Sequence, residues 1–275
     1  MILKKNNNRC STEKEERSSS FSGVSRKLLW VILISVVVGY CYFFYNKFVK
    51  PYSYRWKALY GEVKYPGGDV RGIDISHYQK KINWEELAKS NIQNTPIQFA
   101  YIKATEGRDG FDEYFDYNFQ MAKHHRIARG AYHFFTTQSS GFDQARHFCN
   151  HVKLEEGDLP PVLDIEISMD ETSDAESHKT KNEILKWLAY VENHYRVKPL
   201  IYASYKFKEN YLNDSIFNQY PYWIAHYYVD SLEYTGDWVF WQHTDVGKIN
   251  GIEGLVDIDL FNGSINSFRK LQIKK

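Results

Sequence analysis

The sequence predicts an α/β fold: an irregular TIM-like barrel of eight strands with an incomplete ring of helices, preceded by one transmembrane helix. Three features of the 275-residue chain carry this prediction. A long apolar stretch lies near the N-terminus, short apolar runs recur after it, and helical patterns separate the early runs. Alternating β and α units favour a parallel sheet, and eight strands favour closure into a barrel. We therefore divide the chain into a tail (1–27), an anchor (28–45), a juxtamembrane stalk (46–69) and a barrel (70–271).

The anchor reads LLWVILISVVVGYCYFFY, eighteen residues without a charge. This is close to the shortest helix that crosses the hydrocarbon core of a bilayer. A cleaved signal peptide is disfavoured because the stretch ends in bulky aromatic residues rather than small ones. Tyr40 likewise disfavours lipoprotein processing at Cys41. A buried core helix is disfavoured because the stretch is apolar on every side. We predict a single membrane span.

The segments on either side of the anchor predict its orientation. The tail is rich in Ser and Asn, contains seven Lys and Arg residues, and is predicted to be disordered. The positive-inside rule places this tail in the cytoplasm. The rest of the chain then lies outside the cytoplasmic membrane, on the periplasmic or cell-wall side. The stalk is predicted to end at the turn residues Pro66, Gly67 and Gly68.

Eight apolar runs are predicted as strands, at residues 70–76, 98–104, 128–134, 161–166, 200–203, 222–225, 239–243 and 256–261. Helices are predicted at residues 84–90, 113–125, 142–152 and 177–195. The last helix has the clearest 3.6-residue period, formed by Ile184, Trp187, Leu188, Val191 and Tyr195. The later strands have shorter connections with less helix, so the ring of helices is predicted to be incomplete.

The composition excludes several classes of function. Thirty-five Lys and Arg against 34 Asp and Glu give a formal net charge of +1, so no basic excess points to nucleic acid. Three Cys cannot form a disulfide framework, and Cys149 is expected to be buried in a helix. No strand carries a His-x-His pair, so no metal is expected. No phosphate loop and no nucleophile elbow occur, and we expect no cofactor.

Acidic residues within three apolar runs are the candidates for chemistry. Asp164 and Glu166 lie two positions apart in the fourth run, and Asp74 and Asp257 lie in the first and the eighth. Residues i and i+2 of a strand share a face, and barrel active sites lie at the carboxyl ends of the strands. Two neighbouring buried carboxyls force at least one pKa upward. A proton-bearing carboxyl beside an ionised one suits glycoside hydrolysis, and salt-bridged surface acids are the alternative.

Several segments together resemble a known family. They are GIDISHYQ, YIKATEG, GAYHFF, PVLDIE, IYAS, YWIAHY and FWQHTDVGKINGIEGLVDIDLFNGS, in order from residue 70 to residue 268. This pattern is similar to glycoside hydrolase family 25, the Chalaropsis-type lysozymes or N-acetylmuramidases. The resemblance implies an irregular eight-stranded barrel. It also implies cleavage of the β-1,4 bond between N-acetylmuramic acid and N-acetylglucosamine in peptidoglycan.

The resemblance also implies roles for the acidic residues. Glu166 would be the general acid, and Asp164 would stay charged, stabilising the transition state or the substrate's acetamido group. Asp74 and Asp257 would hold water or substrate and tune the central pair. The family often has Asn where this chain has Asp259, on the same strand face as Asp257 by its i and i+2 spacing. That carboxyl either raises neighbouring pKa values or points away from the site.

Aromatic and amide side chains near strand ends are the predicted sugar contacts, with core packing as the alternative for each. They are Tyr132, Tyr202, Trp223, Tyr227, Trp241 and Gln242. Lys103 and Glu106 flank Thr105 after the second strand and are predicted to form an internal ion pair.

The sequence as a whole predicts a monomeric, membrane-anchored muramidase that binds peptidoglycan glycan strands. Two alternatives stay open at this point: a catalytically silent glycan-binding module and a scaffold for the cell envelope. Also open are retention against inversion at the anomeric carbon, the preference for modified glycans, and the biological purpose. That purpose could be wall remodelling, attack on competitors or feeding, and the anchor favours the first.

Overall fold

The computed structural model describes residues 12–60, 63, 65–167 and 173–274. They fall into two compact units, Met1–Lys57 and Ala58–Lys275. In the first unit, α1 (Thr12–Phe44) is followed by a π-helical segment (Tyr45–Val49) and by the start of α2 (Lys50–Tyr60). The apolar stretch Arg26–Val49 has a mean hydropathy of 2.2 and is not buried by other parts of the protein. Among the described residues it is the one helix long and apolar enough to cross a membrane, consistent with the predicted anchor.

The segments next to the anchor are more helical than the sequence predicts. α1 begins at Thr12, so residues 12–27 of the predicted tail are part of a helix. Glu, Lys and Arg are good helix formers, and a helix already nucleated by the apolar stretch extends into them at little cost. Residues 1–11 lie outside the described part. α2 covers the first half of the predicted stalk, and residues 61, 62 and 64 also lie outside.

The second unit is a closed barrel of eight strands. These are β1 (Arg71–Ile75), β3 (Thr95–Glu106), β5 (Ala128–Phe134), β6 (Val162–Ile165), β7 (Leu200–Ser204), β8 (Tyr222–Ala225), β9 (Phe240–Gly247) and β10 (Val256–Phe261). They pair in this order, and β1 pairs with both β10 and β3 to close the ring. All eight strands predicted from the sequence are present. Two short strands, β2 (Asn91–Ile92) and β4 (Gly110–Phe111), pair with the ends of β3.

The direction of one strand differs from the expected parallel sheet. β10 is antiparallel to both β9 and β1, while the pairs from β1 through β3 and on to β9 are parallel. Only a few residues connect β9 to β10, and a parallel neighbour would need a crossover of a dozen or more residues. The short connection therefore reverses the last strand.

Each barrel strand separates two apolar clusters. In β6, Leu163 and Ile165 belong to the outer cluster beneath the helices, whereas Val162 belongs to the cluster that fills the barrel. The inner cluster also holds large rings, including those of Phe99 and Tyr101. Two glycines make room for them, because a Cβ on Gly72 would lie 2.4 Å from the Phe99 ring, and one on Gly130 would lie 2.1 Å from Tyr101. The packed interior closes one end of the barrel.

The predicted helices are present with adjusted bounds: α3 (Trp84–Leu87), α4 (Phe115–His124), α5 (Gly141–His151) and α6 (Asp174–Tyr195). α6 begins before its predicted start because Ser173 and Glu176 form a capping box. Two further short helices, α7 (Tyr205–Asn210) and α8 (Ile265–Leu271), start at Ser caps that the sequence analysis missed. The ring of helices around the barrel is therefore incomplete, as predicted.

Candidate active site

A cleft of about 180 Å³ opens at the carboxyl ends of the parallel strands. It is lined by Asp74, Ser76, Tyr78, Lys103, Tyr132, Phe134, Asp164, Glu166, Tyr202, Trp223, Tyr227, Gln242 and Asp257. The four predicted catalytic acids are thus brought together, from three strands that are far apart in sequence. Five of the six predicted sugar contacts lie there too.

Strand reversal explains how Asp257 joins this group. Asp257 lies near the start of β10, whereas Asp74 lies near the end of β1. In the antiparallel register the two residues are opposite one another. If β10 ran parallel to its neighbours, its first residues would lie at the other end of the barrel.

The central carboxyls differ sharply in their surroundings. Asp164 faces the interior of the barrel and is 8% exposed, whereas Glu166 follows the last residue of β6 and is exposed in the cleft. Burial raises the pKa of Asp164 well above its usual range, and the charges of Glu166 and Asp74 raise it further, while Lys103 opposes the effect. Among the described residues, no partner hydrogen-bonds to Asp164 Oδ1. Burial and these charges therefore favour the protonated form of Asp164, the carboxyl that the family resemblance implies would stay charged.

A hydrogen-bonded chain connects Glu166 with Asp74. The Tyr202 hydroxyl lies 2.6 Å from Gln242 Oε1 and 3.2 Å from Glu166 Oε1. Tyr227 also donates to Gln242 Oε1, and Gln242 Nε2 donates to Asp74 Oδ2 over 2.6 Å. The Tyr202 hydroxyl has one proton to donate, and both Gln242 Oε1 and Glu166 Oε1 lie within its reach. Gln242 is thus a central link of the site.

Asp259 lies deeper on the same strand face as Asp257 and is fully buried. Its Oδ1 accepts a hydrogen bond of 2.9 Å from Trp223 Nε1. Burial raises the pKa of Asp259 well above its usual range, and the charge of Asp257 adds to this effect. The sequence leaves open whether Asp259 raises the pKa values of its neighbours or points away from the site. The structure favours the first possibility, because Asp259 faces the other acidic residues.

The predicted contact at Trp241 is not part of the cleft. Alternation along β9 turns Gln242 inward and Trp241 outward, where Trp241 is 3% exposed and its Nε1 donates to His226 O over 2.8 Å. In the sequence analysis, core packing is the alternative to sugar contact for each of these residues, and Trp241 is packed in this way. Trp223 lines the cleft floor but is only 2% exposed, so it offers little surface for stacking.

The structure adds residues that the sequence analysis did not count as part of the site. Lys103 forms the predicted ion pair with Glu106, at 2.7 Å, but it also lines the cleft and lies over the Phe134 ring at 4.6 Å. Tyr78 is 78% exposed at the rim, beside the ring of His77 at 4.2 Å. The sequence signal that could have indicated Tyr78 is its position shortly after the end of the first strand, where barrel active sites form.

Two larger cavities continue the cleft on opposite sides. One of about 510 Å³ shares Lys103 with it and includes Arg108, and one of about 610 Å³ shares Glu166, Tyr202 and Tyr227. Together they form a groove across the barrel mouth, which suits an extended polymer. No cluster of three or more His, Cys, Asp or Glu side chains suited to a metal occurs in the described part of the chain.

Known proteins resemble this chain in architecture and in sequence. The bacterial lysozyme from Streptomyces coelicolor superposes with a TM-score of 0.66 and 31% identity, over 74% of this chain and 97% of that one. A family 25 glycosyl hydrolase from Bacillus anthracis also gives 0.66, with 33% identity over 74% of this chain and 93% of that one. In sequence, the uncharacterized protein YegX of Escherichia coli K12 is 36% identical over 234 residues, which cover 85% of this chain and 81% of YegX.

Lysozyme M1 of Streptomyces globisporus is 32% identical over 209 residues, covering 71% of this chain and 68% of that lysozyme. The profile of the glycosyl hydrolases family 25 matches residues 73–252, from the first barrel strand to just before the last. That range contains Asp74, Asp164 and Glu166. Fold, cleft and sequence therefore agree, and the chain belongs to glycosyl hydrolase family 25 and is a glycoside hydrolase of the lysozyme type.

Proposed function

We propose that this protein is a membrane-tethered muramidase that hydrolyses the β-1,4 bond between N-acetylmuramic acid and N-acetylglucosamine in peptidoglycan. The observation that carries the proposal is the pairing of a buried carboxyl, Asp164, with an exposed one, Glu166, in a groove across the barrel mouth. The names of the similar lysozymes support the same substrate class.

Glu166 is the proposed general acid. It lies where two cavities of the groove meet, so a glycan strand along the groove would pass directly over it. A bound sugar would exclude water from Glu166, and desolvation favours the protonated form of a carboxyl. In the proposed reaction, Glu166 carries the proton when the sugar is bound. From there it is delivered to the oxygen of the leaving sugar as the glycosidic bond breaks.

Asp164 becomes the anionic partner once Glu166 carries the proton. Its place inside the barrel mouth puts its charge below the reacting sugar, where positive charge develops at the anomeric carbon. A buried anion stabilises such charge more than an exposed one, because fewer waters screen it. The same carboxylate can orient the substrate's acetamido group for attack on the anomeric carbon, the substrate-assisted route among glycosidases.

Asp74, Gln242 and Asp257 form the floor of the proposed site. Gln242 is held by two tyrosine hydroxyls, so its amide points at Asp74 in one orientation. This fixed floor is suited to position water or a sugar hydroxyl. Tyr132 and Tyr227 line the walls and would contact the sugar rings. The groove is formed within one chain, so we propose that the protein acts as a monomer.

The proposed location follows from the apolar helix and the substrate. With Arg26, Lys27 and five further basic residues on its N-terminal side, the helix would keep its N-terminus in the cytoplasm. The barrel would then lie outside the cytoplasmic membrane. A tethered enzyme reaches only nearby glycan, so we propose remodelling of the cell's own wall.

The test compares the full chain, reconstituted in nanodiscs, with three variants on purified peptidoglycan. Glu166→Gln should lower the release of reducing ends at least ~100-fold, the lower range for general acid catalysis. Asp164→Asn should also be severely impaired. Glu156→Gln, an exposed acid at the opposite end of the barrel, should match wild type.

Mass spectrometry of the wild-type products should show fragments that end in N-acetylmuramic acid. Wild type that binds peptidoglycan but releases no reducing ends would support a silent binding module instead. Fragments that end in N-acetylglucosamine would overturn the bond assignment.

A further inference from the structure

Among the described residues, no N–H or O–H group donates to one oxygen of a buried carboxyl below the cleft. Asp259 Oδ1 accepts from Trp223 Nε1, which fixes this oxygen as an acceptor. Asp259 Oδ2 is also buried and receives no hydrogen bond from any N–H or O–H group in the described part of the chain. An ionised carboxylate in this position would leave a full acceptor unsatisfied without water, which is costly.

The group that Asp259 meets is another carboxyl. Asp74 and Asp259 face the barrel interior on neighbouring strands, and their side chains are within hydrogen-bonding contact. Asp74 Oδ2 already accepts from Gln242 Nε2 over 2.6 Å. On each carboxyl, then, one oxygen accepts from an N–H donor, and no described residue donates to the second oxygen of Asp259. Only a proton on one of the two carboxyls can make that contact a hydrogen bond.

The surroundings favour one negative charge on the pair rather than two. Asp74 is 8% exposed and Asp259 is fully buried, and Lys103, a cation that lines the cleft, is paired with Glu106. Burial raises the pKa of both groups. The charges of Asp259 and Glu166 raise the pKa of Asp74 further, and the charge of Asp257 raises that of Asp259, whereas the hydrogen bond with Asp74 lowers it. Two carboxyls in one dry site titrate as a unit, with the second proton much harder to remove than the first.

We propose that Asp259 is a positioning residue, which shares one proton with Asp74 and so fixes the orientation and the single negative charge of that floor carboxylate. Its influence passes to Glu166 through Gln242 and Tyr202, which are joined to Asp74 by hydrogen bonds. Asn in this position would offer a permanent donor. Asp makes the same contact depend on a proton. The activity readouts of this inference rest on the proposed function, whereas its spectroscopic and stability readouts do not.

Asp259→Asn is the central variant, because an amide keeps the oxygen that Trp223 needs and puts an N–H₂ donor toward Asp74. Infrared difference spectra of the full chain in nanodiscs, wild type minus variant at neutral pH, should show the carbonyl stretch of one protonated carboxyl. Asp74→Asn should lose the same band, since the remaining Asp259 would then accept from the new amide. Glu156→Gln should keep it. Absence of the band from the difference spectrum of wild type minus Asp259→Asn would overturn the proposal.

The pH dependence of thermal unfolding gives a second readout that needs no activity. A shared proton is bound by the folded state and released on unfolding above pH ~4, because free Asp has a pKa of about 3.9. Wild type therefore loses stability relative to Asp259→Asn as the pH rises from 4 to 7. The Tm of the variant should exceed that of wild type by more than ~2 °C at pH 7 and by less at pH 4. A pH-independent difference would contradict the shared proton.

Activity separates positioning from packing. Asp259→Asn should keep kcat within roughly threefold of wild type, because the donor to Asp74 is retained. The acid limb of the pH profile of kcat/KM should move up by about one pH unit in this variant. The reason is that Asp74 alone takes up a proton more readily than the singly charged pair of Asp74 and Asp259 does. Asp259→Leu removes the donor and the acceptor for Trp223, and kcat/KM should fall at least ~10-fold. Equal losses in both variants with a wild-type pH profile would show that Asp259 only packs.

Discussion

Tyr202 stands between Gln242 and Glu166, 2.6 Å from the amide oxygen of the first and 3.2 Å from Oε1 of the second. The Tyr202 hydroxyl can donate to either oxygen, and Tyr227 supplies a second donor to the amide. This relationship places a hydrogen-bond donor beside the proposed general acid. It also explains why the floor of the cleft and the exposed acid act as one unit.

Tyr202→Phe tests this relationship. The variant keeps the ring but removes the hydroxyl beside Glu166, which is also one of the two donors to Gln242. We expect kcat to fall about tenfold, with a smaller change in KM, because the lost hydrogen bond involves a group that becomes ionised in the reaction. Steady-state kinetics on a soluble glycan fragment measure both constants. An unchanged kcat would mean that Glu166 does not use this contact.

Asp164→Asn should separate stability from activity. The raised pKa of Asp164 means that the folded protein holds a proton that the unfolded chain releases above pH ~4. Stability from this group is therefore greatest below that pH and is lost as the pH rises toward the folded-state pKa. The variant should lose at least ~100-fold in rate, yet its Tm at pH 7 should exceed that of wild type by more than ~2 °C.

The control for Asp164 is Glu166→Gln, which removes the exposed partner. Its Tm should stay within ~1 °C of wild type at pH 7, because the charge of an exposed carboxyl changes the free energy of unfolding little. A drop in the Tm of Asp164→Asn at neutral pH would contradict the burial argument. Differential scanning calorimetry at pH 4 and pH 7 provides the comparison.

His243 should contribute to acid unfolding. It is 4% exposed, its ring nitrogens find no hydrogen-bond partner among the described residues, and burial lowers its pKa to about 3. In the unfolded chain His243 takes up a proton near pH 6.5, whereas in the folded protein it stays neutral until about pH 3. Stability is therefore lost as the pH falls from 6.5 toward 3. Its ring packs edge-on against Tyr65 and Trp241 at 5.7 and 5.8 Å.

His243→Phe keeps a ring of similar shape and removes this titration. The fall in Tm between pH 7 and pH 4 should be smaller than in wild type by more than ~4 °C. His133 also has a pKa lowered to about 3 by burial, so some acid sensitivity should remain. An unchanged pH dependence would show that His243 is accessible to protons in the folded state.

Tyr78 and Trp241 should respond in opposite ways. Tyr78 is exposed at the rim of the cleft, so Tyr78→Ala should raise KM about threefold to tenfold and leave Tm within ~1 °C of wild type. Trp241 is buried on the outer face of β9, so Trp241→Phe should lower Tm and leave KM unchanged. Kinetics and calorimetry on the two variants measure these effects. A raised KM in Trp241→Phe would return this residue to the substrate site.

The sequence by itself determined the eight strands, the apolar helix and the acids at Asp74, Asp164, Glu166 and Asp257. Apolar runs, uncharged length and acids within apolar strands are local signals that one chain carries. Only the tertiary structure decided that β10 runs backwards, that Trp223 points inward and Trp241 outward, and that Asp259 meets Asp74. The two-residue alternation along a strand is the same for both strand directions, and it does not say which face is buried inside the barrel. Strand pairing and barrel closure therefore determine the direction of β10 and the face on which each side chain lies. Burial depth, which raises the pKa of Asp164, is likewise a property of the closed barrel and of no segment alone.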